Sequence, residues 1–287
     1  MFRIRIQNKK KCIWYCSAVV SFLLFLLLLG WTNHLANTQD AQQMAGRWSE
    51  KKDVAQISCF FSSKAEVTED TIQSFEYSLK NVLQEASITE TSENPSARLW
   101  VDAYSADGKI TLVNGKNTLD ANAIGIGGDF FMFHPLKLIT GAYFSGNDLM
   151  QDYCIIDQDA AWQLFGSNDV VGMTVYIGNV PHIVTGVVQR PDSRMDKAAG
   201  LNSTVVYVSY ETLSAYGTNN GINHYEIVMP NPVDEFAYGK VKEGIGIDEK
   251  NVEIVENSRR YSLPNRIKTI LAFGTRSMNG KAIIYPY

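Results

Sequence analysis

The chain opens with a long apolar run and then breaks into short segments whose hydrophobic period keeps changing. Between Cys12 and Gly30 no residue is charged, and the centre reads VVSFLLFLLLLG. That length suits a bilayer-spanning α-helix, which needs about 20 residues. Residues 57–61 follow as a short apolar strand. From Thr68 the period becomes helical, with Ile72, Phe75, Leu79, Val82, Leu83 and Ala86 on one stripe. Thr68 is placed to cap this helix, and Glu69 and Asp70 fill its first turn, where the helix dipole favours acids. A strand over residues 99–104, a hairpin-like pair turned on Asp107-Gly108 and a strand over 121–126 complete a β-α-β unit with additions. A second such unit comes late. Residues 224–229 read as a strand, Pro232 opens a helix carrying Val233, Phe236, Ala237 and Val241, and 251–255 is a strand again.

Two β-α-β halves predict an α+β body with a split, ferredoxin-like layer of sheet and helices. The segment between them has its own local logic. Asp157 caps a helix over residues 158–165, and Gly166 supplies the left-handed stop. Met173, Val175 and Ile177 alternate toward one face, and Gly178-Asn179 suits a tight two-residue hairpin turn. Residues 204–208 form another strand, after which Ser209 caps a short helix. Phe130, Phe131, Phe133, Tyr143 and Phe144 fall at the junction with the first half, where they read as core, although a hinge between layers is also a place where ligands bind.

The order of small motifs here is more specific than any one of them. Gly141 and Phe144 form a G-x-x-F step, and Ile155, Ile156 and Asp157 an apolar strand closed by an acid. Ala161, Leu164, Phe165 and Gly166 spell A-x-x-L-F-G; Gly172 and Val175 spell G-x-x-V; Val184, Gly186 and Val187 spell V-x-G-V. As a series, these residues resemble the extracytoplasmic core domain of MacB-type ABC transporter permeases, the wider group that includes FtsX- and LolE-like proteins. The resemblance implies a "porter" subdomain interrupted by a mainly-β second subdomain. With the periodicity it gives this layout: a basic tail (1–11), a transmembrane helix (12–32), a stalk (33–56), a first porter-like half (57–129), a mainly-β insertion (130–222), a second porter-like half (223–256) and a basic amphipathic tail (257–287).

Charge adds topology. Arg3, Arg5, Lys9, Lys10 and Lys11 precede the apolar run without an acid among them, which puts the N-terminus in the cytoplasm and the main domain outside it. Trp14, Tyr15 and Trp31 sit where an aromatic belt belongs, and His34-Leu35-Ala36 is a poor signal-peptidase site, so the run is read as an uncleaved anchor. The net charge of −4 is mild and suggests no nucleic-acid partner. Cys12 and Cys16 read as small apolar residues of the anchor, with palmitoylation as the other reading. Cys59 and Cys154 read as two buried thiols, with a disulfide the alternative in an oxidising compartment. Leu263, Ile267, Ile270 and Leu271, beside Arg266 and Lys268, form a basic amphipathic stripe. It lies either on a membrane surface or on the domain's own flank.

Catalytic motifs are missing. Gly125-Ile126-Gly127-Gly128 lacks Walker A spacing, and the family resemblance implies a turn between subdomains there. Asp148, Asp152, Asp157 and Asp159 read as turn and cap residues, since their spacing fits no EF-hand. His34, His134, His182 and His224 contain no i,i+3 or i,i+4 pair, so no zinc motif is written locally, and convergence in space stays open. The resemblance implies a chain without enzymatic activity or a cofactor of its own. ATP would be used by a separate cytoplasmic ABC ATPase subunit, and the permease would pair as a homo- or heterodimer in the lipid bilayer. The other reading is a membrane-anchored binding or sensory ectodomain that regulates a partner, with a pocket where the insertion meets the porter halves. An enzyme would need His182 or His224 to meet the Asp148–Asp159 cluster. Family members carry three further membrane helices after this domain, and no second apolar span follows Gly30. A truncated reading frame, an excised piece and a one-helix accessory subunit are the three expectations for that arrangement, and the basic tail favours the first.

Overall fold

The computed structural model describes residues 9–38, 40–49, 53–89, 98–190 and 203–260. It divides into two units, Met1–Asp40 and Ala41–Tyr287. In the first, the charge-free run forms helix α1 (Lys9–Asn37), of which Ile13–Leu35 is long and apolar enough to cross a membrane. Phe22, Leu23, Leu27 and Trp31 are all exposed, so the helix is apolar all round and has no protein core to bury itself in. A bilayer is the medium that such a surface fits. Lys9, Lys10 and Lys11 occupy its first turn.

In the second unit, β1 (Val54–Phe61) is followed by α3 (Glu69–Glu85) and β2 (Val101–Asn114), and later β10 (His224–Pro230) by α7 (Phe236–Gly244) and β11 (Val252–Glu256). These four strands lie in the order β11-β1-β10-β2, all neighbours antiparallel. The two β-α-β units are thus interleaved, as a ferredoxin-like layer requires. Ile57, Cys59, Tyr225, Ile227 and Met229 bury one face of the sheet against Ile72, Phe75, Leu79 and Leu83 of α3 and Ala237 and Val241 of α7. Among the stripe positions expected on α3, Val82 is half-buried and Ala86 exposed.

The remaining strands close on themselves. They are β3 (Asn117–Gly128), β5 (Tyr153–Asp157), β6 (Thr174–Ile177), β7 (Val180–Val188) and β8 (Val205–Ser209). Strand β2 pairs with β3, β3 with β8, β8 with β5, β5 with β7, β7 with β6, and β6 again with β2 at Leu112↔Ile177. The result is a six-stranded closed barrel, an arrangement that leaves few free strand edges. Ala106, Ile110, Leu112, Ala123, Cys154, Ile156, Val175, Ile177, Val184 and Val206 line it, joined by Leu164 of α5 (Gln158–Phe165) and Leu213 of α6 (Tyr210–Tyr216). Short β9 (Thr218–Asn219) pairs with β2, and β4 (Leu138–Gly141) with β7. Residues 106–123 of the β2–β3 hairpin, within the stretch assigned to the first half, therefore belong to the barrel core.

A third core joins the two. Phe130, Phe131 and Phe133 of α4 (Phe130–Phe133) and Phe144 pack with Met44 and Ala45 of α2 (Met44–Trp48), Val101, Ala103, Ile155 and Val228. The junction aromatics are core, as expected.

Several local expectations fail for identifiable reasons. Asp107-Gly108 is no turn: β2 runs unbroken through it, and the chain reverses at Gly115-Lys116, between Asn114 and Asn117. Its buried face switches at Ser105-Ala106, and that switch broke the alternation. Gly108 is small because β9 crosses it; a Cβ there would meet the Thr218 carbonyl at 2.3 Å. The run Gly125–Gly128 is likewise strand, and the Tyr104 ring lies over Gly127 where a Cβ would sit. Helix α7 starts at Phe236 instead of Pro232. Glu235 takes a left-handed φ of 66°, the Asn231 side chain accepts from the Ala237 N–H, and Val233 is exposed. Thr68 stands at the N-cap of α3, but its hydroxyl meets the Thr71 hydroxyl and caps no backbone N–H, and Met173 lies outside β6, exposed.

Barrel closure gives a test. Leu112 is fully buried opposite Ile177 on the closing strand. Leu112→Ala is expected to cost about 2–5 kcal/mol, read by urea unfolding of the detergent-solubilised chain. Leu149→Ala, at a fully exposed position, should leave the midpoint unchanged. A Leu112→Ala loss below ~1 kcal/mol would mean that the barrel core is not packed as described.

Candidate functional site

Residues of the motif series hold up the barrel. The Asp157 carboxylate accepts from the Ala160 N–H at 2.7 Å and so caps α5. Gly166 ends the helix at φ 72°, a backbone that glycine adopts without steric cost. Leu164 is buried in the barrel, and Phe165 packs half-buried against it. Gly178 and Asn179 have φ of 56° and 67°, the pair of positive values that a type I′ hairpin needs. Gly186 sits where β7 shifts register against β5, Gly141 ends β4 beside it, and Gly172 lies in the turn before β6. Phe144 belongs to the junction core. Trp31 is exposed on α1. Ser209 caps α6 through the Thr212 N–H.

Arg190, which the sequence did not single out, completes the Asp157 site. Its guanidinium donates to Asp157 Oδ2 from Nε at 3.1 Å and from Nη2 at 2.8 Å, and it also contacts Asp159 at 2.5 Å. The same Oδ2 accepts from the Val205 N–H at 3.1 Å. One carboxylate thus fixes the start of α5, the start of β8 and the end of β7. A half-open cavity of about 450 Å³ adjoins this pair, walled by Ile124, Leu136, Val205 and Tyr207. Of the remaining acids in that stretch, Asp148 accepts from the Ser145 N–H as a turn residue, and Asp152 keeps one buried oxygen without a partner.

Two histidines do converge, though not on these acids. Strands β1 and β10 and helix α4 build the convergence. His224 and Glu226 occupy alternate positions of β10 and so share a face of the sheet. The face opposite α3 carries buried polar groups: Gln56, Ser58 and Glu226. His134 follows α4, and its Nε2 lies 2.6 Å from Glu226 Oε2; His224 Nε2 lies 3.8 Å from Glu226 Oε1. Ser58 donates to Glu226 Oε1 at 2.7 Å, and Asn257 donates to Ser58 at 2.7 Å. Phe60 stacks on His224 and Phe130 on His134, each with centroids 4.7 Å apart. Burial pushes the Glu226 carboxyl up, but His134, His224 and the Ser58 hydroxyl outweigh it and hold the group near 2. Burial pushes His224 down, toward its neutral form. His182, by contrast, is a barrel-core histidine bonded to the Val180 carbonyl and Thr212. The missed signal was His224-Tyr225-Glu226: i,i+2 spacing is a ligand spacing for a strand, and the helical spacings were the wrong template.

A second acidic cluster lies under α3. Burial, together with the Asp102 carboxyl beside it, pushes Glu76 up to about 8. Tyr225 donates to Asp102 at 3.0 Å, and Arg98 pairs with Asp129 at 2.6 Å. Cys59 and Cys154 are free thiols in separate cores, and burial pushes both up, Cys154 to about 12. Arg259 pairs with Asp234 and Glu256. The tail stripe of Leu263, Ile267, Ile270 and Leu271 lies outside the described residues.

Residues 21–254 match the family described as the MacB-like periplasmic core domain. The macrolide export ATP-binding/permease protein MacB of Chromobacterium violaceum is 32% identical over 99 residues, which is 34% of this chain and 15% of that protein. The protein of that name from a Shewanella species is 31% identical over 120 residues, 40% of this chain and 18% of its own length. The chain thus spans under a fifth of these relatives. Among solved structures, the periplasmic region of MacB from Actinobacillus actinomycetemcomitans is similar at 18% identity and a TM-score of 0.45, over 79% of this chain and 94% of that one. The extracellular domain of the noncanonic ABC-type transporter YknZ from Gram-positive bacteria is similar at 17% identity and a TM-score of 0.43, over 70% and 99%.

Two outcomes follow from the polar geometry. Asp157→Ala strands a largely buried Arg190 and the Val205 N–H and removes a cap. It is expected to cost about 3–5 kcal/mol, read by chemical unfolding, whereas Asp148→Ala should stay within about 0.5 kcal/mol. For Glu76 the folded pKa lies above the unfolded value, so the unfolded carboxyl binds fewer protons. Its contribution to stability is full below about pH 4.5 and is lost as pH rises through about 8. Thermal midpoints should therefore decline across that window, and Glu76→Gln should flatten the decline. An unchanged slope in the variant would rule out this assignment.

Proposed function

The chain belongs to the family of MacB-like periplasmic core domains, and from that premise we propose that it is the extracytoplasmic, membrane-anchored part of an ABC transporter permease. On this reading α1 holds the body at the membrane with its N-terminus in the cytoplasm, and the body transmits ATP-driven motion to a substrate or partner outside. The observation that carries the proposal is the family match running from inside the apolar span to β11.

The physical requirements of such a part are a stiff link and a body whose pieces shift as units. On this reading the ferredoxin-like layer and the closed barrel, joined through one hairpin and the aromatic junction, would be those pieces. ATP would be hydrolysed by a separate cytoplasmic ABC ATPase subunit, and the permease would work as a homo- or heterodimer. The chain itself is proposed to carry no enzymatic activity. A binding or sensory ectodomain is the second reading, and the cavity beside Arg190 and Asp157 is what favours it.

Two measurements test the proposal. Lys116→Cys, at the exposed tip of the β2–β3 hairpin, should react with a membrane-impermeant maleimide in intact spheroplasts. The tagged chain, extracted from native membranes in mild detergent, should copurify with an ATPase that carries a Walker A motif. Labelling without any ATPase partner would reject the transporter part and leave the sensory reading. Absence of labelling would reject the topology.

A further inference from the structure

We propose that His134, His224 and Glu226 form a binding site for one divalent transition-metal ion of the Zn²⁺ class. Their ligand atoms all lie within 4.8 Å of one another, and no other group of this kind occurs among the described residues. Two imidazoles and a carboxylate are donors that zinc accepts, and three protein ligands leave a fourth position for water or a donor from a partner.

Four observations separate this cluster from a simple buried ion pair. First, His224 Nε2 is buried without a hydrogen-bond partner, although Glu226 lies within 3.8 Å. A buried ring nitrogen that faces a carboxylate and bonds to nothing can ligate an ion in the tautomer that leaves it unprotonated. Second, both rings are already oriented, His224 by Phe60 and His134 by Phe130. Third, Glu226 has outer support. Asn257 donates to Ser58, and Ser58 donates to Glu226 Oε1, the kind of chain that fixes a ligating carboxylate. Fourth, the rearrangement an ion needs falls largely on a part-exposed side chain. Bonds of about 2.0–2.1 Å in a tetrahedron put ligand atoms about 3.3 Å apart. The 2.6 Å contact of His134 with Glu226 Oε2 must open, and His224, now 3.8 Å from Oε1, must approach the oxygen that ligates. The His134 side chain is 26% exposed and follows a four-residue helix, so it has room to turn.

The site ties the end of α4 to β10, and through Ser58 and Asn257 to β1 and α8 (Asn257–Arg260). An ion there would clamp the aromatic junction onto the ferredoxin-like sheet. The inference does not depend on a transport role.

The test uses the full chain in detergent, stripped with a chelator and titrated with Co²⁺ alone. Expected are the strong visible bands of four- or five-coordinate cobalt, saturating at one equivalent and displaced by Zn²⁺. His134→Ala and His224→Ala should each abolish the bands. Ser58→Ala should keep them with about 10–100-fold weaker affinity. Circular dichroism checks the fold of each variant. If His224→Ala does not fold, the part-exposed His134→Ala decides alone. Absence of the bands in the wild-type chain, or bands that survive in folded His134→Ala, would overturn the site and leave a buried hydrogen-bond network.

Discussion

The antiparallel hairpin of β2 and β3 is the constraint on which the body depends. Its register runs from Ala103↔Gly128 to Asn114↔Asn117 without a break. At one end β2 is an outer strand of the ferredoxin-like layer, and at the other it closes the barrel onto β6. The strand manages this by changing its buried face at Ser105-Ala106. Val101 and Ala103 face the aromatic junction; Ala106, Ile110 and Leu112 face the barrel interior. Because side chains alternate strictly along a strand, a one-residue slip would turn both sets to the wrong side at once. The two cores therefore cannot be repacked independently.

The second organising feature is polar. The sheet face opposite α3 and α7 buries Gln56, Ser58 and Glu226 beneath α2 and α4. Burying such groups is tolerable only where their hydrogen bonds are made. Gln56 meets this by accepting from the Met44 N–H and donating to the Ala41 carbonyl, which also holds α2 against the sheet. Glu226 meets it through Ser58 and His134. Asp157 repeats the device at the barrel rim, with two N–H groups and Arg190 on one carboxylate. These contacts fix how the small helices attach, and they are the places where a local change is felt by several elements.

Several features were readable before any tertiary structure. The membrane-length run, the helical stripe of α3, the cap and stop of α5, the Gly178-Asn179 turn and the interrupted pair of β-α-β halves all rest on spacing or local dihedral demands. Among the readings that failed were several inferences from glycine. Gly108, Gly125 and Gly127 look like punctuation, yet each lies within a strand where another chain segment or ring comes too close for a Cβ. Sequence spacing carries the first kind of information and not the second.

The sequence by itself determined the class of most segments and the family pattern, because caps, turns and hydrophobic periods act over a few residues. Tertiary structure alone decided that residues 106–123 belong to the barrel, that Arg190 completes Asp157, and that His134 meets His224 and Glu226 across 90 residues of chain. Those outcomes depend on which strands become neighbours. That choice is made by the summed burial of whole faces, which no short window of residues contains.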